Sequence, residues 1–250
     1  MPKNLYEHLA EPRPPLETPG RVLAFGAHPD DIEFGAGATI ARWTEAGTTA
    51  VFAIVTDGSK GTWDPDAEPR VLAAERRSEA EEGATMLGAY SVAFLDRVDG
   101  ELEYSMELRG EIALLIRQHH PDIVLSHDPW QRYQLHPDHR VTGLAVVDGV
   151  VAARDPHFFP EHGLAPHRPT ALLLWSADEP DHIEPATEEA LQRKIDALLC
   201  HASQAETTMG DSHRDGAGRD GFAARIASWS EEQGARFGVG AAETFKRITP

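Results

Sequence analysis

The chain of 250 residues has little cysteine, little basic charge and no long apolar run. Its one cysteine, Cys200, excludes an intrachain disulfide and any zinc site built on two or more cysteines, which is typical of a reducing cytoplasm. Its 41 acidic residues outnumber its 23 lysines and arginines, so the formal charge of −18 disfavours nucleic acid and anionic lipid as partners. Without a segment typical of a signal peptide or a bilayer span, we expect a soluble, cytoplasmic protein.

The hydrophobic pattern alternates between short β-branched runs and longer segments of helical periodicity. Strands are predicted at about 22–27, 48–58, 91–96, 121–129 and 170–177, and helices at about 32–47, 69–89, 105–120, 136–154, 187–201 and 218–236. Such alternation requires crossover connections, so we expect a single α/β domain, Rossmann-like, with a mostly parallel sheet and helices on both faces. Four prolines near the start predict that residues 1–20 form an extended arm and that the domain covers 21–250.

The segment GAHPDDIEFG (26–35) places a histidine and two aspartates where the first predicted strand ends. A dinucleotide-binding loop would need G-x-G-x-x-G here, but the glycine spacing does not match, and acidic side chains at a helix N-terminus repel a pyrophosphate. His28 and Asp31 are close enough along the chain to reach one metal ion, which leaves Asp30 free. The alternative is that Asp30 and Asp31 cap the helix and favour its dipole, and the two interpretations are compatible.

A second cluster, LHPDHR (135–140), follows another predicted strand. Because ligands bind beyond the carboxyl ends of strands in open α/β sheets, we expect His136, Asp138 and His139 to approach the first cluster. One of these imidazoles would complete a set of two histidines and one carboxylate. This donor set is typical of catalytic zinc sites, and it also suits Fe(II) in oxygenases.

The remaining histidines that stand near prolines are predicted to lie in surface loops, and no second metal site is expected from them. They are His127, His157, His162, His167 and His182.

The two motifs, AHPDDIEFGAG and LHPDHR, resemble the paired signature of the PIG-L (LmbE-like) family of zinc-dependent N-acetylglucosaminyl deacetylases. The segments TDGSKGT, AERRSEAEEGATMLG, DPWQRYQLHPDHR and HASQ are similar to those of its diacetylchitobiose deacetylase branch. The resemblance runs from about Arg21 to the C-terminus. It implies a hydrolase that removes an N-acetyl or related acyl group from a glucosamine-containing small molecule.

Carried over residue by residue, the resemblance implies that His28, Asp31 and His139 bind one Zn²⁺ ion and that Asp30 is the general base. It implies that His136 supports the oxyanion or protonates the leaving amine, and that Asp138 holds His136 in orientation.

For the substrate, the resemblance implies that Arg76 and Asp99 bind sugar hydroxyls, whereas the alternatives are an ordinary helix salt bridge and a turn residue. Trp130 is expected either to stack on a sugar or to be buried. Similar family members often form trimers or hexamers, so the resemblance implies a homo-oligomer. Loops 60–70, 155–168 and 204–218 are expected to select the substrate.

Two other functions remain open on the sequence. One is an amidase that acts on a different conjugate, because the motifs specify amide chemistry better than the sugar. The other is a protein that only binds metal or sugar. The presence of Asp30 beside three candidate ligands argues against the second, because metal binding alone does not require that extra carboxylate. An Fe(II) oxygenase is disfavoured by the fold class alone.

Overall fold

The computed structural model describes residues 13–210 and 216–250. Its strands are β1 (Arg21–Gly26), β2 (Thr49–Thr56), β3 (Ser91–Arg97), β4 (Ile123–His127), β5 (Ala171–Trp175), β6 (His182–Pro185) and β7 (Ala242–Ile248). Its α-helices are α1 (Asp31–Glu45), α2 (Pro69–Met86), α3 (Met106–His119), α4 (Pro137–Arg154), α5 (Glu188–Leu198) and α6 (Gly216–Ala235). Short 3₁₀ turns cover Pro160–His162 and Ala202–Gln204.

The strands of the described residues form one sheet in the order β3-β2-β1-β4-β5-β7-β6. The first five strands pair in parallel, whereas β7 runs antiparallel to both β5 and β6. The chain leaves β1 toward β2 on one side and later returns to β4 on the other side of β1. The strand order therefore reverses between β1 and β4, which is where ligands bind in open α/β sheets.

Side chains from alternate strand positions build one core on each face of the sheet. Val22 and Ala24 of β1 belong to the core that packs against α1, α2 and α5, and Leu23 and Phe25 belong to the core against α3 and α4. Parallel strands covered on both faces carry nearly continuous apolar runs, and this is why they are recognisable in the sequence. The predicted α/β domain with a mostly parallel sheet is confirmed.

The end of the chain differs from the prediction, which had two helices finish the chain and no strand after residue 177. β7 follows α6, and β6 lies in a segment that was interpreted as a surface loop. His182 in β6 is fully buried, and its Nε2 lies 2.8 Å from Oε1 of the buried Glu184. Buried polar side chains in a four-residue strand produce no apolar pattern, so the hydrophobic periodicity did not reveal this strand.

The predicted N-terminal arm falls partly outside the described residues, which begin at Arg13. From there to Pro19 the chain has no helix, and it runs past β6 of the same chain. The backbone N–H of Leu16 donates to Glu184 (2.8 Å), and Arg13 forms an isolated bridge with His182. No helix within 13–210 and 216–250 is both long and apolar enough to cross a membrane.

α1, which starts within the first sequence motif, is interrupted at Ala36, and a buried ion pair bonds the polar groups at the interruption. Ala36 leaves helical geometry (φ −147°, ψ 16°). The Glu243 carboxylate from β7 accepts the N–H groups of Ala38 (3.0 Å) and Thr39 (2.7 Å), which begin the second half of the helix. The Lys194 ammonium of α5 donates to Glu243 (2.7 Å) and to the carbonyl of Phe34 (2.8 Å). The break therefore leaves these polar groups bonded, as burial requires.

The glycine at position 37 permits this arrangement. A Cβ atom there would lie 2.9 Å from Cγ of Lys194, which is closer than carbon atoms approach. The buried lysine thus reaches the break only because α1 presents no side chain at that position.

We expect Glu243→Gln to lower the free energy of unfolding by about 3 kcal/mol, because it leaves Lys194 buried without its counter-charge. Urea denaturation of the metal-free protein measures this change. The matched control is Asp96→Asn, which removes one partner of the exposed Arg77–Asp96 pair and should cost less than about 1 kcal/mol. Equal losses in the two variants would contradict a stabilising role for the buried pair.

Candidate active site

Both sequence motifs meet at the point where the strand order reverses. The loop after β1 carries His28, Asp30 and Asp31, and the loop and first turn after β4 carry His136, Asp138 and His139. A cavity of about 670 Å³ opens over them. Its further lining comes from α1, α2 and α6, from the ends of β4 and β5, from the loops after β2, β3, β4 and β5 and from the 204–208 turn. These residues are Phe34, Gly35, Lys60, Gly61, Thr62, Trp63, Arg76, Asp99, Gly100, His127, Gln131, Gln134, Trp175, Ser176, Gln204, Thr207, Thr208 and Trp229.

His28 stands at the centre of the site, with each ring nitrogen directed at a different group. Its Nδ1 lies 3.2 Å from Nε2 of His139 and 3.3 Å from Oδ2 of Asp31. Its Nε2 lies 3.2 Å from both Oδ2 of Asp138 and Oδ1 of Asp99. A histidine whose second nitrogen donates to a carboxylate is the common arrangement around protein-bound metals.

The ring nitrogens of His28 and His139 and the carboxylate of Asp31 fit a small divalent cation. Nε2 of His139 lies 3.2 Å from Nδ1 of His28 and 3.2 Å from Oδ1 of Asp31, whereas Nδ1 of His28 lies 3.3 Å from the other oxygen of Asp31, Oδ2. Tetrahedral zinc with bonds of about 2.0–2.1 Å spaces neighbouring ligand atoms about 3.3–3.4 Å apart. The three side chains are therefore close enough to hold one ion. Three overlapping groups in this cluster meet the spacing of a metal site: His28, His136 and His139; His28, Asp99, His136 and Asp138; and Asp31, His127 and His139.

Asp31 is held in its ionised form. Burial raises the pKa of its carboxyl group, but attraction to His139 and the hydrogen bond with His127 outweigh burial and keep that pKa well below its usual range. An ionised carboxylate is the form that binds a metal.

Asp30 is buried next to these groups in a strained conformation. Its φ of 111° is rare for a residue with a side chain, and such strain is concentrated at functional sites. Burial raises the pKa of Asp30 to about 6, although Arg76 partly opposes the shift. A carboxylate whose pKa lies near neutrality is suited to accept a proton and then release it.

Arg76 and Asp99 both line the cavity, but each already has protein partners. Arg76 donates to the carbonyls of Pro29 (2.6 Å) and Gly58 (3.1 Å), and its guanidinium lies 3.5 Å from Oδ2 of Asp30. Asp99 contacts His28 and accepts the backbone N–H of Lys60 (3.1 Å). The sequence interpretation of Arg76 as a helix salt bridge is wrong, because its acidic contact lies on the β1 loop. Its predicted binding of sugar hydroxyls stays a prediction.

His136 and Asp138 are placed differently from the relation that the resemblance implied. The Asp138 carboxylate contacts His28 and accepts the N–H groups of Gly100 (2.7 Å) and Leu102 (3.3 Å), so it orients His28 rather than His136. His136 Nδ1 accepts the backbone N–H of Asp138 (3.3 Å). Since Nδ1 is an acceptor, a neutral His136 ring carries its hydrogen on Nε2. Burial lowers the pKa of His136, and the nearby His28 and His139 lower it further.

His127 is a residue of the site that the sequence analysis missed. It was interpreted as part of a surface loop because prolines stand near it, yet it is the last residue of β4 and is buried. Its Nε2 lies 3.1 Å from Oδ2 of Asp31, and its ring stacks on His139 with centroids 4.3 Å apart. Its position at the end of a buried strand, before an acidic residue, was the signal that could have found it.

Trp130 is the predicted substrate-binding residue that the structure does not bring to the cavity. Its side chain is 59% exposed on the loop between β4 and α4. Trp63 and Trp229 line the cavity instead. The 60–70 and 204–218 loops contribute lining residues, with 211–215 outside the described residues. The 155–168 loop contributes none, because the carbonyls of Asp155, Phe158 and Phe159 bind the buried Arg117 on the far side of the sheet.

Comparison with known proteins identifies the family. The model of the family "PIG-L: GlcNAc-PI de-N-acetylase" matches residues 23–150, which include both motifs. The diacetylchitobiose deacetylase of Thermococcus kodakarensis is 36% identical over 193 residues, which cover 76% of this chain and 72% of that protein. The chain belongs to the PIG-L family.

Other members of the PIG-L family support the assignment. The 1D-myo-inositol 2-acetamido-2-deoxy-alpha-D-glucopyranoside deacetylase of Kineococcus radiotolerans is 33% identical over 172 residues, which cover 56% of this chain and 47% of that protein. The structure of N,N'-diacetylchitobiose deacetylase from Pyrococcus horikoshii superposes with a TM-score of 0.82 at 30% identity. It covers 92% of this chain and 84% of that one. The relatives are deacetylases of N-acetylglucosamine-containing compounds.

We expect metal binding to release about one proton per ion at neutral pH. Burial disfavours the protonated His28 ring, but Asp138, Asp31 and Asp99 outweigh burial and raise the pKa of His28 well above its usual value. The metal-free site therefore holds a proton on Nδ1 of His28 that a cation must displace, and the apparent metal affinity should rise with pH up to that pKa. Isothermal titration calorimetry measures the binding enthalpy in buffers of different ionisation enthalpy. The dependence of the binding enthalpy on the buffer gives the number of protons released.

Asp138→Asn serves as the comparison for proton release. It removes a carboxylate that stabilises the charged ring, so it should lower the pKa of His28 and reduce the number of protons released at pH 7. A binding enthalpy that does not depend on the buffer in the unmodified protein would show that His28 is neutral before the metal binds.

Proposed function

We propose that this protein is a zinc-dependent N-deacetylase that hydrolyses the acetamide, or a related N-acyl group, of a glucosamine-containing small molecule. The observation that carries the proposal is the position of Asp30. This buried carboxylate adjoins the group formed by His28, Asp31 and His139 without belonging to it. Hydrolysis needs an additional carboxylate to accept a proton from water, whereas metal binding alone does not need one.

In this proposal His28, Asp31 and His139 hold the cation, and Zn²⁺ matches their two-nitrogen, one-oxygen set and the spacing of their atoms. When bound there, zinc acidifies a water molecule and polarises the amide carbonyl. Asp30 takes a proton from the attacking water, a step for which its raised pKa of about 6 is suited.

His136 faces the cavity beside the proposed ligands and can donate from Nε2. This hydrogen bond stabilises the oxygen of the scissile carbonyl as it becomes negatively charged. When the C–N bond breaks, the protonated Asp30 or His136 returns a proton to the leaving nitrogen. Water thus supplies a hydroxyl group to the acyl carbon and a hydrogen to the nitrogen, and the products are a carboxylic acid and an amino sugar.

The cavity agrees with an amino-sugar substrate. Its volume of about 670 Å³ lies in the range of small-molecule sites, and two of its three tryptophans, Trp63 and Trp229, offer an apolar ring face with a polar edge. Trp63 is 71% and Trp229 38% exposed, so both have free surface to contact a sugar ring. We assign them the stacking role that Trp130 was expected to play.

The function is tested by measuring free amine release from N-acetylglucosamine, diacetylchitobiose and larger N-acetylglucosaminyl conjugates. The purified protein is assayed as prepared, after treatment with a chelator, and after zinc is restored. Release that the chelator abolishes and zinc recovers supports the proposal. Zinc bound at one ion per chain with no release from any sugar, but release from a non-sugar acetamide, would favour the alternative amidase.

We expect Asp30→Asn to keep the metal and to lose turnover by about 10²–10⁴-fold, because a neutral amide cannot accept the proton of water. His139→Ala should instead lose metal affinity, because it removes a ligand. Metal content by mass spectrometry and kcat on the best substrate separate the two effects. Activity that survives in Asp30→Asn with zinc bound would exclude Asp30 as the base.

A further inference from the structure

Three buried side chains form a hydrogen-bonded chain that ends on a proposed metal ligand. The indole Nε1–H of Trp175 donates to Nδ1 of His127 (3.1 Å), and Nε2 of His127 lies 3.1 Å from Oδ2 of Asp31. Trp175 and His127 are the last residues of β5 and β4 and pair directly in the sheet register. Two adjacent strands therefore fix the first two members of the chain by backbone hydrogen bonds.

The tryptophan sets the tautomer of His127. An indole nitrogen only donates, so Nδ1 of His127 must be the acceptor and must carry no hydrogen. A neutral imidazole with a bare Nδ1 bears its hydrogen on Nε2, and that nitrogen faces the Asp31 carboxylate. The backbone N–H of Ala27 also approaches Nε2, at 3.3 Å, but it meets a nitrogen that already has a hydrogen, so the shorter contact with Asp31 is the hydrogen bond.

The two oxygens of Asp31 are consequently not equivalent. Oδ2 accepts from His127 and from the backbone N–H of His28 (2.7 Å), and Nδ1 of His28 lies 3.3 Å from it. Oδ1 faces Nε2 of His139 at 3.2 Å. Two donors thus fix one oxygen and direct the other toward the second histidine of the proposed ligand set.

We propose that His127 is a positioning residue that presents Oδ1 of Asp31 to the metal, and that Trp175 keeps His127 in the tautomer required for this. The proposal rests on the metal-binding role of Asp31 in the proposed function. His127 acts through Asp31 and takes no proton in the reaction. Hydrogen bonds to ligating carboxylates of this kind typically change metal affinity by about 10–100-fold.

The helix that carries Asp31 is shaped to admit the indole ring. A Cβ atom on Gly35 would lie 2.3 Å from the Trp175 ring, so α1 can pack on Trp175 only with glycine at that position. Gly35 of the first motif thus makes room for the tryptophan of the hydrogen-bonded chain.

The experiment measures Zn²⁺ dissociation constants of the metal-free protein by competition with a chromophoric chelator. His127→Leu should bind zinc about 10–100-fold more weakly, and His127→Gln should recover part of this loss because its amide can still donate to Asp31. Trp175→Phe should weaken zinc binding less than His127→Leu, because it removes only the hydrogen bond that selects the tautomer of His127. The matched control is Trp43→Phe, because Trp43 is also fully buried in a core but its indole nitrogen has no hydrogen-bond partner in the described residues.

A second readout separates positioning from general loss of structure. Nitrogen-15 NMR of labelled histidines should show the Nε2–H tautomer for His127 in the unmodified protein and a tautomer mixture in Trp175→Phe. Unchanged zinc affinity in His127→Leu and Trp175→Phe, or a loss equal to that of Trp43→Phe, would overturn the proposal. Failure of the unmodified protein to bind zinc at all would instead refute the proposed function.

Discussion

Burial of negative charge at one edge of the sheet is the constraint on which the site depends. Four aspartates are buried there. The imidazole of His28 contacts Asp31, Asp99 and Asp138, and the guanidinium of Arg76 contacts Asp30. Burying an ion costs several kcal/mol unless an opposite charge compensates it, so a cluster of this kind is stable only around cations. His28 and Arg76 supply part of the positive charge, and a divalent metal would supply more than either. The same acidic cluster is what would hold a cation in the proposed function.

The fold places this cluster where related architectures bind phosphate. At the reversal of strand order, a helix N-terminus and backbone N–H groups usually attract an anion. Here the acidic side chains of the β1 loop occupy that place, so the same edge of the sheet suits a cation rather than an anion. A site suited to a cation instead of an anion requires no change in the topology of the sheet. It requires only that short acidic side chains follow β1 and that histidines follow β4.

The sequence allowed the local parts of the site to be predicted, but not how those parts contact one another. The two motifs were recognisable because each follows a buried strand, and the structure brings His28, Asp31 and His139 together. The partner of Asp138 was not predictable, because it depends on how closely the β3 and β4 loops approach His28. His127 was missed because neighbouring prolines suggested a loop. Trp130 was chosen for its residue type alone, and the direction of its side chain depends on the path of the loop.

The C-terminal strands were missed for a related reason. β7 turns Glu243 into the interior, so its pattern lacks the apolar residue that marks a strand at that position. The partners of this glutamate, Lys194 and the backbone of α1, lie far away in the sequence. Periodicity reports on apolar faces, and it cannot recognise a strand whose buried contact is an ion pair.

The Lys194–Glu243 pair also sets an order of assembly. During synthesis, the aspartates and histidines of both motifs leave the ribosome long before residue 243. Until β7 has docked, Glu243 cannot accept the N–H groups of Ala38 and Thr39, which begin the second half of α1. The second half of α1 therefore gains its cap only when β7, the last strand of the described residues, joins the sheet.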